Sequence, residues 1–128
     1  MKEGKHVILC VDDDPDFRES LRIVLESGGY VVEEASSGEE ALRRMPSVQP
    51  DLILLDLMME EIDSGTNFVK ELKLRGTKPP IFMLSSAGDA FSGITSYSDL
   101  GLDGMLQKPI QPNRLLNVVK EKLKKTEG

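Results

Sequence analysis

The stretch Asp51-Leu52-Ile53-Leu54-Leu55-Asp56 decides how this chain reads. Leu52 to Leu55 are all branched aliphatics. An apolar run this short reads as a strand buried on both faces, the usual state of a central strand in a parallel sheet. It ends in a carboxylate, and Leu57 to Gly65 beyond it has the chemistry of a loop. A charged group at the carboxyl end of such a strand sits where open α/β sheets hold their ligands. The competing reading is that Asp56 only caps the next segment, and the other strand ends decide between the two.

Working outward, Val7 to Val11 is a second continuous apolar run and ends at Asp12-Asp13-Asp14-Pro15. Asp14 fits an N-cap and Pro15 the first turn of a helix. Phe17, Leu21, Val24 and Leu25 then fall on one helical face, and Gly28-Gly29 stops the helix. Tyr30 to Ala35 reads as a strand. Ser37-Gly38-Glu39-Glu40 has the spacing of a capping box, with Ala41, Leu42 and Met45 following at helical intervals and Pro46 and Pro50 bracketing the exit. On the far side of Asp56, Ser64 is placed to cap a third helix carrying Phe68, Val69 and Leu72, closed by Arg75-Gly76. Ile81 to Leu84 is a fourth apolar strand, ending at Ser85-Ser86. Ala87 to Leu102 is the least legible segment, with a helix expected in Phe91 to Leu100. Gly104 to Gln107 reads as a fifth strand, followed by Lys108-Pro109. Pro112 opens a last helix with Leu115, Val118, Val119 and Leu123 inward, fraying from Thr126. Strand and helix alternate five times, which implies right-handed βαβ units and one parallel sheet covered on both faces.

The bulk properties narrow the function. A chain of 128 residues suits one domain, 1–128, and 30% charged with 39% hydrophobic residues is ordinary globular composition. The net charge of -6 disfavours nucleic acid and anionic membrane as direct partners. No apolar run approaches the roughly 18 residues of a membrane span, and the start lacks a signal-peptide core, so the protein reads as cytoplasmic. The one cysteine, Cys10, lies inside an apolar run and reads as a buried structural thiol. The one histidine, His6, has no second imidazole with which to build a zinc site.

In a parallel sheet all carboxyl ends point the same way. Asp12-Asp13, Asp56, Ser85 and Lys108 therefore converge on one edge although they are scattered in sequence. Three carboxylates together are costly unless positive charge joins them, and oxygen donors suit Mg²⁺. A carboxylate so placed can attack phosphorus to give an acyl phosphate, with Lys108 and a cation neutralising the phosphoryl oxygens and Ser85 donating a hydrogen bond. Asp56 is the best nucleophile because its strand is the most buried.

Asp12-Asp13, Asp56, Ser85 and Lys108-Pro109, in this order and on these strand ends, resemble the receiver domain of two-component response regulators over essentially the whole chain. The resemblance implies a flavodoxin-like doubly wound sheet, order 2-1-3-4-5, with five helices. It implies Asp56 as phosphoacceptor, Asp13 as a direct Mg²⁺ ligand, Asp12 as a ligand largely through water, and the Met58 carbonyl as a further ligand. Ser85 would be the switch hydroxyl, Lys108 the partner of the phosphoryl group, and the Lys108-Pro109 bond cis. The phosphodonor would be a sensor histidine kinase or phosphotransfer protein, with an unknown protein target downstream. Phosphorylation would offer a route to homodimerisation through the fourth helix, fifth strand and fifth helix. Such a domain catalyses only its own phosphorylation and dephosphorylation, and is a switch rather than an enzyme.

The chain departs from the family pattern in three places. Glu60-Glu61 stands where Pro-Gly is common, Met105 replaces the usual aromatic switch residue, and Ile110 replaces a frequent Phe. Two other readings compete: a receiver-like interaction module that takes no phosphate, and an aspartate-nucleophile phosphohydrolase. The phosphohydrolase would need an acid/base Asp two residues after the nucleophile, where this chain has Met58. Met58 and Ala87 cannot orient a water, which predicts an acyl phosphate lasting minutes or longer.

Overall fold

The computed structural model describes residues 4–56, 71–72, 74–76, 79–86, 103–108 and 110–127, without the side chains of 85–86 and 125–127. Five strands, β1 (Val7–Val11), β2 (Val31–Ala35), β3 (Leu52–Asp56), β4 (Ile81–Ser86) and β5 (Gly104–Lys108), form one sheet in the order β2-β1-β3-β4-β5. Every pairing is parallel. The strand that carries Asp56 is therefore the middle one. Its five residues are all buried, because helical layers cover both faces and leave no solvated side for an alternating pattern.

Three helices are described: α1 (Pro15–Ser27), α2 (Gly38–Val48) and α3 (Pro112–Glu127). Residues 71–72 and 74 are also helical, ahead of a turn at Arg75-Gly76 in which Gly76 has φ 76°. The expected start of that helix at Ser64, and the helix expected in Phe91 to Leu100, lie outside the described residues. Alternate strand residues point to opposite layers. On one side Leu9, Val11, Ile53, Leu55, Ile81 and Met83 pack with Ala41 and Met45 of α2 and with Leu72. On the other, Ile8, Cys10, Leu52, Leu54, Phe82, Leu84 and Leu106 pack with Leu21 and Leu25 of α1 and Leu115, Val119 and Leu123 of α3. Cys10 is fully buried, and burial, with Glu34 next in effect, pushes its thiol up to about 12.

The helix ends follow local chemistry. The Asp14 carboxylate accepts from the backbone N–H groups of Asp16 and Phe17, and Pro15 lies in the first turn. Gly28 and Gly29 do different work at the exit: a Cβ on Gly28 would lie 2.6 Å from Leu116 of α3, whereas Gly29 takes φ 91°. At α2 the Ser37 hydroxyl accepts from the Glu40 N–H at 3.1 Å. Glu40 reaches back to the Ser36 hydroxyl at 2.8 Å, so only one arm of the expected capping box forms in the usual way. The helix runs through Pro46 to Val48 and ends on Gln49 with φ 47°, between the two prolines expected to bracket its exit. By contrast α3 continues to Glu127, past the expected fraying point.

At the amino ends of the strands one device occurs twice. Asp51 donates its N–H to the Val7 carbonyl at 2.7 Å and accepts the Val7 N–H on Oδ2 at 2.7 Å. Asp103 does the same with Ile81, at 2.7 Å and 2.8 Å. Each aspartate extends the parallel ladder by one rung, substituting its side chain for a missing backbone carbonyl. This fixes the register that brings the carboxyl ends level.

Candidate functional site

Register decides which residues meet at that edge. Val11 is level with Leu55, and Asp56 with Leu84, so Asp12 and Asp56 leave adjacent strands almost together. On the other side Ser85 is level with Gln107 and Ser86 with Lys108. Asp12 and Asp56 are 0% and 3% exposed, whereas Asp13 is exposed. Carboxylate oxygens of Asp12, Asp13 and Asp56 all lie within 4.8 Å of one another.

The Lys108 side chain closes the cluster. Its Nζ donates to Asp12 Oδ2 at 2.9 Å and lies 3.4 Å from Asp56 Oδ1. Burial alone would lower the lysine's pKa, but hydrogen bonding and charge from Asp12 and Asp56 outweigh it, and the net shift is upward. The ammonium is thus held protonated between two buried carboxylates. Asp12 divides its oxygens, since Oδ1 accepts the Asp14 N–H at 2.9 Å. That bond turns the chain directly from β1 into the cap of α1. Among the described residues no buried side-chain polar atom lacks a hydrogen-bond partner.

The acidic turn is braced from behind. Arg18 of α1 donates to the Asp12 carbonyl and, through Nε, to Glu34 at 2.9 Å. Arg22 binds the other Glu34 oxygen at 2.8 Å. Burial opposes ionisation of Glu34, yet its bonds to Arg22 and Arg18 prevail and its pKa is lowered. From the opposite layer Arg44 donates to the Glu34 carbonyl and pairs with Glu33 at 2.6 Å. The edge strand β2 is therefore clasped by arginines from both layers.

The donor set fits a hard divalent cation: three carboxylates, with the exposed Asp13 leaving room for retained water. Of the residues picked out in the sequence, Asp12, Asp13, Asp56 and Lys108 are brought together. Ser85 is on the expected strand end, with its side chain outside the described residues. Met58, Ala87, Glu60-Glu61 and Pro109 also lie outside them. Phe17, Arg18 and Glu34 were not assigned to the site by sequence. Phe17 reads only as one of the apolar positions on its helical face, and Arg18 and Glu34, 16 residues apart on a helix and a strand, carry no local signal of their pairing.

The family profile described as "Response regulator receiver domain" matches residues 8–120. The chain belongs to this family. Among curated relatives, "Response regulator MprA" of Mycobacterium ulcerans is 40% identical over 119 residues, covering 93% of this chain and 50% of the relative. The "Alkaline phosphatase synthesis transcriptional regulatory protein PhoP" of Bacillus subtilis is 37% identical over 120 residues, covering 94% and 49%. This receiver domain thus spans about half the length of the curated relatives it matches. Among solved structures, a putative response regulator from Chloroflexus aurantiacus is similar at TM-score 0.81 and 35% identity, covering 94% of this chain and 98% of that one. The chemotaxis response regulator CheY4 of Vibrio cholerae is similar at TM-score 0.81 and 29% identity, covering 92% and 98%. The family is a signalling module of two-component systems, and the sheet order expected from sequence is the observed one. No helix among the described residues is long and apolar enough to cross a membrane.

Proposed function

We propose that this receiver domain is a phosphorylatable switch with Asp56 as the phosphoacceptor. The observation that carries the reading is the placement of the Lys108 ammonium between Asp12 and Asp56, with Asp13 completing the carboxylate cluster. An Asp56 oxygen would attack the phosphorus of a phosphohistidine on a sensor kinase or phosphotransfer protein. The P–N bond breaks, an acyl phosphate forms, and the imidazole leaves with the electron pair and takes a proton. Lys108 would then turn from the carboxylates to a phosphoryl oxygen, and Ser85 would donate to another. Asp12, Asp13 and Asp56 would hold Mg²⁺, with the Met58 carbonyl added on family resemblance. When bound, the ion supplies positive charge to the phosphoryl oxygens.

The same reading covers the outcome of the signal. The net charge of -6 makes this domain a poor ligand for nucleic acid, so its output would pass to a protein partner or to a segment outside this domain. Met105, 38% exposed on the edge strand β5, would stand where phosphorylation-dependent dimerisation is expected.

The test is intact mass after incubation with Mg²⁺ and phosphoramidate. A single phosphoryl adduct that survives for minutes and disappears in Asp56→Asn is expected. Phosphate release over many turnovers without an adduct would favour a phosphohydrolase. Neither Mg²⁺ binding nor an adduct would leave a protein-interaction module.

A further inference from the structure

Lys108 has a third neighbour besides its two carboxylates. Its Nζ stands 4.1 Å from the centroid of the Phe17 ring, over the ring face. An ammonium has three N–H directions, and here two face Asp12 and Asp56 at 2.9 and 3.4 Å while the ring occupies a third side. We propose that Phe17 is a positioning residue that docks the Lys108 ammonium beside Asp56 through a cation–π contact. This rests on the reading of Asp56 as phosphoacceptor.

The geometry gives the ring a role the carboxylates cannot fill. Asp12 and Asp56 belong to the proposed metal set, so their hold on the ammonium weakens whenever they are committed elsewhere. The ring is outside that set, and its attraction for the ammonium stays unchanged. A lysine stem is long and flexible, and without a platform the ammonium would be free to leave for solvent at the moment when it has to meet the incoming phosphoryl group.

The platform is itself fixed. Phe17 is the third residue of α1, and its N–H donates to the Asp14 cap at 3.4 Å. The Asp14 N–H is in turn held by Asp12 at 2.9 Å. The ring is partly buried and packs against the core layer beneath α1 and α3, which restricts its movement. One short segment, residues 12–17, thus supplies a carboxylate and an aromatic face to the same ammonium, with the Asp14 cap holding the two in place.

The test replaces Phe17 with ring-fluorinated phenylalanines, which keep the shape and drain the π face stepwise, and with Leu and Trp. One readout is the rate of Asp56 phosphorylation by phosphoramidate with Mg²⁺. The other is the ring-current displacement of the Lys108 ε-methylene protons by NMR without Mg²⁺. Phe17→Leu should slow phosphorylation roughly three- to tenfold. The fluorinated rings should fall between in order of fluorine count, and Phe17→Trp should match or exceed wild type. The ε-methylene displacement should vanish in Phe17→Leu. A flat fluorine series, or ε-methylene protons at ordinary positions in the wild type, would overturn the inference alone. A wild-type protein that takes up no phosphoryl group would overturn the phosphoacceptor reading and this inference with it.

Discussion

Lys108 Nζ and Asp12 Oδ2 are joined across 2.9 Å although the residues are 96 positions apart in the chain. Removing the ammonium takes its positive charge away from the buried Asp12 and Asp56 carboxylates, and breaking a buried pair from one side is strongly destabilising. Lys108→Met should therefore lower the stability of the magnesium-free protein by about 3–5 kcal/mol. Added Mg²⁺ should recover part of that loss, because a second cation can take over the neutralisation. Urea unfolding with and without Mg²⁺ measures both, and an equal deficit in the two conditions would contradict the shared-charge account.

Glu34 gives a pH signature that does not involve the carboxylate cluster. Its folded pKa lies below the ordinary 4.5, since the bonds from Arg22 and Arg18 outweigh the opposing effect of burial. A depressed folded value means the unfolded state binds the proton more readily, so stability rises with pH across this window. The contribution is fully present above pH 4.5 and is lost as pH falls from 4.5 through the lower folded value. Glu34→Gln should be less stable than wild type at pH 7, with the gap closing towards pH 3. Denaturation midpoints of the two proteins over that range check it.

The paired aspartates at the amino ends of the strands predict a register defect. Val7 is 0% exposed, and Asp51→Ala would leave its N–H without the 2.7 Å acceptor. An orphaned buried donor costs about 1–3 kcal/mol. Asp103→Ala should cost the same or less, since Ile81 is 5% exposed. Asn at either position should recover part of the loss through its amide oxygen. Amide exchange at Val7 and Ile81 in the two alanine variants would localise the effect, and unchanged protection there would show that the clamps do not set the ladder.

Gly104 is a packing glycine. A Cβ there would stand 2.8 Å from the Phe82 ring, which is buried in the α1–α3 layer. Overfilling of this kind costs about 1–3 kcal/mol. Gly104→Ala should be destabilised by that amount, and Phe82→Leu in the same chain should recover a good part of it. Additive losses in the double variant would rule out a direct clash.

Much of this molecule was legible from pattern alone. Five strand-like runs, four of them ending in polar or charged residues, marked out the strands. The requirement that parallel strands point one way then brought Asp12, Asp13, Asp56 and Lys108 together before any distance was known. What pattern missed was lateral. Phe17 reads as a core position because helical spacing says which face is inward but not what stands over it. Arg18 and Glu34 gave no signal because their pairing depends on how α1 packs against β2. Lys122 was missed in the same way: its ammonium lies 3.2 Å from Asp103. Pro46 and Pro50 did bracket the exit of α2, which ends at Val48 with its cap on Gln49.

The divided carboxylate of Asp12 has a consequence for the order in which the domain becomes competent. Oδ1 is satisfied within its own neighbourhood by Asp14, but Oδ2 waits for a lysine on the last strand to join the sheet. A ribosome delivers all three acids long before it delivers Lys108. Until β5 docks, the acids lack the ammonium that stands 2.9 Å from Asp12 and 3.4 Å from Asp56, and with it that share of their neutralisation. The lysine proposed for the switch therefore also ties the last strand of the sheet to the first, and docking of β5 would add to the stability of the whole carboxyl edge.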